Sequence, residues 1–250
     1  MSVNEIRQKE FTGASVFMPI IDEFDSVLET VRIILDTCDR KDITEFILIV
    51  AQRGGEERVN RLNILKEKYP DVKFKIFVQS QNGVGGASRE AIAVAEGSHI
   101  VSIASDLQFD PVCVSQMIER GRVHPDMVFS TSRWLLKHNF DGYSKSKKVL
   151  NYLGQRFICR LYGVHLTDVT TPVQICPTEY YRHLILTRDD FSFFIEVSLK
   201  LIRIGAEFEE IPVKFSPRTE GRSHNSFIET AKFLPVTVNT RFLKTDKVWK

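Results

Sequence analysis

The chain reads as an α/β protein with a mostly parallel central sheet and helices on both faces. Three observations predict this. Short apolar runs alternate with segments whose apolar residues recur at three-to-four spacing. Such alternation makes a parallel sheet covered on both sides. Asp22-Glu23, Gln52, Asp106–Gln108 and Ser132-Arg133 fall where apolar runs end, and ligands of these sheets sit beyond the carboxyl ends of the strands.

In chain order, ASVFMPI (14–20), FILIV (46–50), FKIFV (74–78), HIVSIA (99–104) and DMVFST (126–131) are the expected strands. Segments 25–38, 56–69, 84–97 and 112–123 carry the helical spacing between them. After Arg133 the pattern changes. A basic stretch, HNFDGYSKSKK (138–148), leads into a helical run, VLNYLGQRFICRLYG (149–163), and then a polar connection, TDVTTPVQ (167–174). A helix around FFIEVSLKLIRIG (193–205), a strand in AEFEEIPVKF (206–215) and a basic loop, PRTEGRSHNS (217–226), follow. The tail from 227 to 250 mixes aromatics with Lys and Arg, and suits either a docked helix or a contact with an anionic bilayer.

Composition bounds the function classes. The 250 residues are 43% hydrophobic and 26% charged, ample for one large domain. A net charge of +2 does not call for nucleic acid, but the cations are clustered. Residues 136–163 hold Lys137, Lys145, Lys147, Lys148, Arg156 and Arg160 against Asp141 alone, which suggests an anionic ligand or surface. Cys38, Cys113, Cys159 and Cys176 are scattered, with no His at metal spacing. They fit a reducing cytosol better than a disulfide framework or a zinc site. The start, MSVNEIRQKEF, lacks the apolar core of a signal peptide, and no run reaches the ~18 apolar residues of a membrane span. The expectation is a cytoplasmic protein that meets a membrane, if at all, peripherally at its inner face.

The stretch IVSIASDLQFDP (100–111) carries the sharpest chemistry. A carboxylate and a carboxamide, Asp106 and Gln108, stand two apart on an extended turn after a strand. Oxygen ligands of this kind suit a hard divalent cation such as Mg²⁺ or Mn²⁺. Asp110, followed by Pro111, is the better helix-capping acid.

Four blocks together resemble a family 2 glycosyltransferase of the GT-A (Rossmann-like) fold, nearest the polyprenol-phosphate mannosyltransferase branch. They are SVFMPIIDE (15–23); NGVGGASREAIAVAEGSHIVSIASDLQFDP (82–111); STSRW (130–134) with GYSKSKKVLN (142–151); and EEIPVKFSPRTEGRSH (209–224). The resemblance implies a single glycosyltransferase domain over 1–250. Residues 12–133 would bind the nucleotide sugar, 134–226 would serve the acceptor and 227–250 would form a basic aromatic tail. It implies donor contacts from Pro19, Ile21, Glu23, Gln52, Gly85, Arg89, Ser105 and Asp106, and a metal on Asp106 and Gln108. It implies acceptor-phosphate contacts from Arg133, Lys147, Asn151, Arg218, Ser223 and His224, with Asp106, Arg133 and Arg218 the catalytic residues. A phosphate acceptor is already an anion, so cations that position it matter more than a general base.

The chain also departs from the family pattern. Ala104 stands where the first acid of Asp-x-Asp belongs, and VAQRGG (50–55) replaces paired aspartates at the end of the second strand. The Gly-Phe that follows the family's acceptor-side acid is Pro172-Val173 here. Several residues stay open between two roles. Gly85 and Gly86 suit phosphate or close helix packing, and Arg89 suits the donor or a surface ion pair. Asp168 suits the acceptor or an arginine partner. Glu196, in an apolar helix, suits the active-site floor or an ion pair. The expected activity is inverting transfer of a hexose from a nucleotide sugar to a polyprenyl phosphate or a cell-surface glycan. The rival is a catalytically degenerate domain that acts as a binding or scaffold module in glycan assembly.

Overall fold

A computed structural model describes residues 6–137, 139–140, 145–218, 220 and 232–250, with the backbone alone at Lys145 and Lys147. Seven strands form one sheet: β1 (Ala14–Ile20), β2 (Ile43–Val50), β3 (Phe74–Val78), β4 (His99–Ser102), β5 (Val128–Ser132), β6 (Gln174–Pro177) and β7 (Phe208–Pro212). Their order is β3-β2-β1-β4-β6-β5-β7. β6 runs antiparallel to β4 and β5, and every other pairing is parallel. The sequence reading has Gln174 in a polar connection. QICP is too short an apolar run to signal a strand, and its place comes from slotting between β4 and β5.

Nine helices are described: α1 (Asp25–Thr37), α2 (Gly55–Leu62), α3 (Ile64–Lys68), α4 (Gly83–Val94), α5 (Cys113–Val123), α6 (Lys145–Tyr162), α7 (Thr178–His183), α8 (Ser192–Arg203) and α9 (Phe233–Phe242). The period of two along β1 sends Val16, Met18 and Ile20 to one face, where α1 and α5 cover them with Val27, Val31, Ile34, Val114 and Met117. Phe17, Ile47 and Ile49 face the other way, against α4, α7 and α8. The basic stretch before residue 149 is helical from Lys145, so the long helix starts a turn earlier than its apolar residues indicate. The helix expected over 56–69 breaks at Asn63 into α2 and α3.

Small residues let α4 approach closely. A Cβ at Gly85 would lie 2.0 Å from the Arg188 carbonyl oxygen, and one at Gly86 2.7 Å from the Gln81 side chain. The Gly85 amide donates to the Asp189 carbonyl at 2.8 Å. Close packing is therefore the role these glycines visibly play. In the tail, α9 docks on α8. Val236 is buried with Ile195 and Leu199, and the Arg203 guanidinium donates to the Thr240 carbonyl at 2.8 Å. Trp249 is buried against His183 with ring centroids 5.1 Å apart.

Two stability predictions follow from this packing. Gly85→Ala should lower unfolding free energy by about 1–3 kcal/mol in chemical denaturation, because the clash is with backbone. His99 is fully buried in β4, with Nε2 at 2.8 Å from the Pro125 carbonyl, and burial lowers its pKa from 6.5 to about 4. Below pH 6.5 the unfolded chain takes up a proton that the native imidazole refuses. Relative to His99→Gln, the wild type should thus lose about 3 kcal/mol of stability as pH falls from 6.5 to 4.

Candidate active site

The connections from β1 run to β2 and β3 on one side, and β4 lies on the other, so β1 and β4 flank a switch point. A cavity of about 340 Å³ opens there, beyond the carboxyl ends of β1, β2 and β4. Backbone and hydroxyl bonds set its walls. The Ile103 amide donates to the Phe17 carbonyl at 3.0 Å, the Ser105 hydroxyl to the Pro19 carbonyl at 3.0 Å, and the Ala51 amide to the Ile20 carbonyl at 2.7 Å. Pro19, Ile21, Gln52, Asn82 and Gly83 line one part of the cavity, and Phe17, Ile103, Pro172, Phe191 and Phe194 line an apolar part.

Among the described residues, two carboxylates face this space, Glu23 and Asp106, each about 5% exposed. Glu23 Oε2 accepts the amides of Ile21 at 2.8 Å and Asp22 at 3.0 Å, which turns Oε1 outward. Asp106 sits on a strained turn. Leu107 has φ 59°, the one non-glycine left-handed residue among those described, and the Gln108 amide donates to Asp106 Oδ1 at 3.1 Å. A leucine there costs on the order of 1–2 kcal/mol, which the surrounding packing must outweigh.

Arg218 answers both acids. Its Nη2 lies 2.8 Å from Asp106 Oδ2 and 3.3 Å from the Gln108 amide oxygen, and its Nη1 lies 3.8 Å from Glu23 Oε1. It arrives because the segment after β7 pairs with the segment after Asp106. The Asp110 amide donates to the Lys214 carbonyl at 3.2 Å, the Ser216 amide to the Gln108 carbonyl at 2.8 Å, and Phe109 stacks edge-on against Phe215. Glu220, just beyond, accepts the amides of Phe24 at 3.0 Å and Ser26 at 2.9 Å, so the start of α1 anchors this strap. Burial pushes the Glu220 carboxyl up, but those donors outweigh it and hold it below its ordinary range. Burial raises the Asp106 pKa, and the Arg218 charge opposes that rise without cancelling it.

Within this architecture, a family model described as Glycosyl transferase family 2 matches residues 15–186, more than half of the chain. The chain belongs to glycosyl transferase family 2. Its fold is similar to crystal structures of glucosyl-3-phosphoglycerate synthase from Mycobacterium tuberculosis. One, in complex with Mg²⁺ and uridine diphosphate, superposes with TM-score 0.67 at 11% identity, covering 98% of this chain and 85% of that chain. Another, with Mn²⁺, UDP-glucose and phosphoglyceric acid, gives TM-score 0.65 at 12% identity with the same coverage. A further mycobacterial protein matches with TM-score 0.64 at 13% identity, over 93% of this chain and 76% of that chain.

In this family 2 glycosyltransferase the donor-side expectations divide. Pro19, Ile21, Glu23, Gln52, Ser105 and Asp106 all line the cavity. Gly85 and Arg89 are not among its lining residues. Arg89 instead donates to the Arg188 carbonyl at 2.7 Å and pairs with Asp189, the surface ion pair of its two readings. Gln108 touches Arg218 rather than lining the cavity. Asp110 accepts the Val112 amide at 3.1 Å in the turn that leads into α5, whose N-cap is Val112 rather than Asp110.

The acceptor-side residues are less gathered. Arg133 is buried in a two-pronged pair with Asp168, Nε to Oδ2 at 2.6 Å and Nη2 to Oδ1 at 2.8 Å, and its guanidinium is not part of the cavity wall. Gln155 and Thr170 also donate to Asp168, at 3.3 and 3.2 Å. Asp168 is thus the arginine partner, and Glu196 is the ion-pair half, 2.8 Å from buried Lys200. Asn151 accepts the Trp134 indole N–H at 3.2 Å. Ser223 and His224 lie outside the described residues, as does the Lys147 side chain. Sequence reasoning missed Glu220, and also Phe191 and Phe194 in the cavity wall. No local signal marks these, since only tertiary pairing brings them to β1.

Because breaking a buried pair leaves an uncompensated charge, Asp168→Asn should cost about 3–5 kcal/mol in chemical denaturation. Arg133→Lys should cost less, since it keeps the charge and loses only the fork.

Proposed function

We propose that the chain is an inverting hexosyltransferase, moving a sugar from a nucleotide sugar in a single displacement to a polyprenyl phosphate or a cell-surface glycan. The observation that carries this reading is the convergence of Asp106, Gln108 and the outer oxygen of Glu23 on one cation, Arg218, at the cavity lip. An all-oxygen donor set around a point that already takes a positive charge fits Mg²⁺ or Mn²⁺. Asp106 and Gln108, with Glu23 beside them, would hold that metal, which supplies neutralisation of the charge developing on the diphosphate. The synthase of similar fold, crystallised with Mn²⁺, UDP-glucose and phosphoglyceric acid, supports a metal-assisted donor and a phosphate-bearing acceptor here.

In this reading the residues divide the work. Pro19, Ile21 and Gln52 receive the nucleoside, and Arg218 moves from the carboxylates to an incoming phosphate. Arg133 holds Asp168 and so positions the acceptor side. Glu23 and Asp106 are the only carboxylates among the described lining residues, and both are committed to cations or amides. A hydroxyl acceptor needs a general base and a phosphate does not, so the arrangement favours the lipid phosphate. The second reading, a binding module without turnover, is favoured by Ala104 and the VAQRGG run (50–55), which stand where the resembled pattern has acids; Ala104 and Ala51–Arg53 line the cavity.

Titration with Mn²⁺ and a panel of nucleoside diphosphates and nucleotide sugars tests the proposal. Donor turnover should fall by at least about a hundredfold in Asp106→Asn. Arg218→Gln should bind Mn²⁺ more tightly than the wild type while losing turnover, because its guanidinium no longer competes for Asp106. Nucleotide binding indifferent to chelation, with no product from any donor, would establish the binding-module reading instead.

A pH dependence follows from the raised Asp106 pKa. Protons compete with cations for that carboxylate and burial favours its protonated form, so metal-dependent nucleotide binding should weaken on acidification. Isothermal titration across pH reads this directly.

A further inference from the structure

We infer that the outward face of α6, with Leu135 and Leu136 ahead of it, is a docking surface for an anionic lipid bilayer. Large apolar side chains exposed among the described residues concentrate there. Val149 and Leu153 are each 58% exposed, Leu150 48% and Phe157 46%, and Leu135 and Leu136 in the preceding connection are 45% and 40%. At helical geometry, positions 149, 150, 153 and 157 fall within about 100° of arc, a single apolar stripe. The opposite side of the same helix is fully used: Gln155, Ile158 and Cys159 are buried against the domain. The stripe is therefore not a core face left short of partners by its own helix.

Charge decides what occupies it. The sequence of α6 holds Lys145, Lys147, Lys148, Arg156 and Arg160 and no Asp or Glu. A second copy of this chain would bring its own exposed Arg156 and Arg160, which helical geometry sets beside the stripe, to the same face, so self-association is opposed. Nucleic acid has no use for a stripe of leucine, valine and phenylalanine. An interfacial helix on anionic lipid needs both features, an apolar strip to enter the headgroup boundary and cations beside it.

Position gives the contact a purpose. β5 is antiparallel to β6, which is antiparallel to β4, so β5 ends at the same edge of the sheet as β4. Trp134, just after β5, donates to Asn151 on α6 at 3.2 Å. The N-terminal half of α6 thus lies at the edge where the cavity opens, and a bilayer held there would present a lipid-borne phosphate to that edge. No helix among the described residues is long and apolar enough to cross a membrane, so the contact is lateral.

The proposal rests on the lipid-acceptor reading only for that purpose, and its test contains neither donor nor acceptor. Full-length protein is sedimented with phosphatidylcholine vesicles, with and without phosphatidylglycerol, at physiological salt. The wild type should partition to the anionic vesicles about tenfold more strongly than to the neutral ones. Leu153→Glu with Phe157→Glu should abolish that partition at an unchanged melting temperature, and Ile64→Glu, at an exposed apolar residue elsewhere, should not. Should the double glutamate variant melt early, Leu153→Gln with Phe157→Gln is the milder pair with the same expected loss. Wild type that stays in the supernatant with both vesicles overturns the proposal, as does a folded double variant that sediments like the wild type. A wild-type dimer in analytical ultracentrifugation that the double variant splits, without vesicle binding, overturns it in favour of a self-interface.

Discussion

A buried carboxylate demands a cation, and the shape of this site follows from how Asp106 meets that demand. At 5% exposure its charge cannot be left to water. Arg218 supplies the counter-charge from more than a hundred residues away in sequence, and reaches it because residues 214–216 pair with 108–110. The strap that carries Arg218 is tied down by Glu220 on the amides at the start of α1. One electrostatic requirement thus ties β4, the segment after β7 and the first helix to a single cavity edge. The same requirement makes the place receptive to a different cation, provided Arg218 has somewhere else to go.

A second buried pair does the corresponding work at the end of β5, where the Arg133 guanidinium lies over the Phe109 and Phe215 rings at 5.8 and 5.5 Å. Arg133 and Asp168 lock the end of β5 to the loop before β6, and Glu210 on β7 accepts the amides of Thr167 and Asp168 at 2.7 Å each. Burial raises the Glu210 pKa. These groups brace the end of β5 and do not line the cavity. The two ion pairs differ in kind: Arg133 is 10% exposed and held by a rigid fork, whereas Arg218 is 21% exposed on a strap.

Much of the fold was legible because strands and helices write their own periods. Val16, Met18 and Ile20 against Phe17 is a period of two, and Val27, Val31 and Ile34 is a helical stripe, so β1 and α1 could be read locally. β6 could not, since Ile175 and Cys176 are too few to declare a strand and their identity as one depends on β4 and β5. For the site, Glu23, Gln52, Ser105 and Asp106 were visible as polar residues placed where strands stop. Arg89 and Arg133 were visible as arginines in motif positions, but which acid each would meet, Asp189 and Asp168, is a matter of distance in space.

The amino-acid sequence by itself determined the alternation of strands and helices, the edge of the sheet where chemistry would gather, and the acid-free charge of α6. Those properties are set by period, composition and neighbours within a few residues. The tertiary structure decided that Gly85 serves packing, that Asp106 and Glu23 share one arginine, and that an apolar stripe on α6 stays uncovered. Each of these turns on which distant backbone or charge comes within about 4 Å, the range over which contact and ion pairing act, and no local pattern records that.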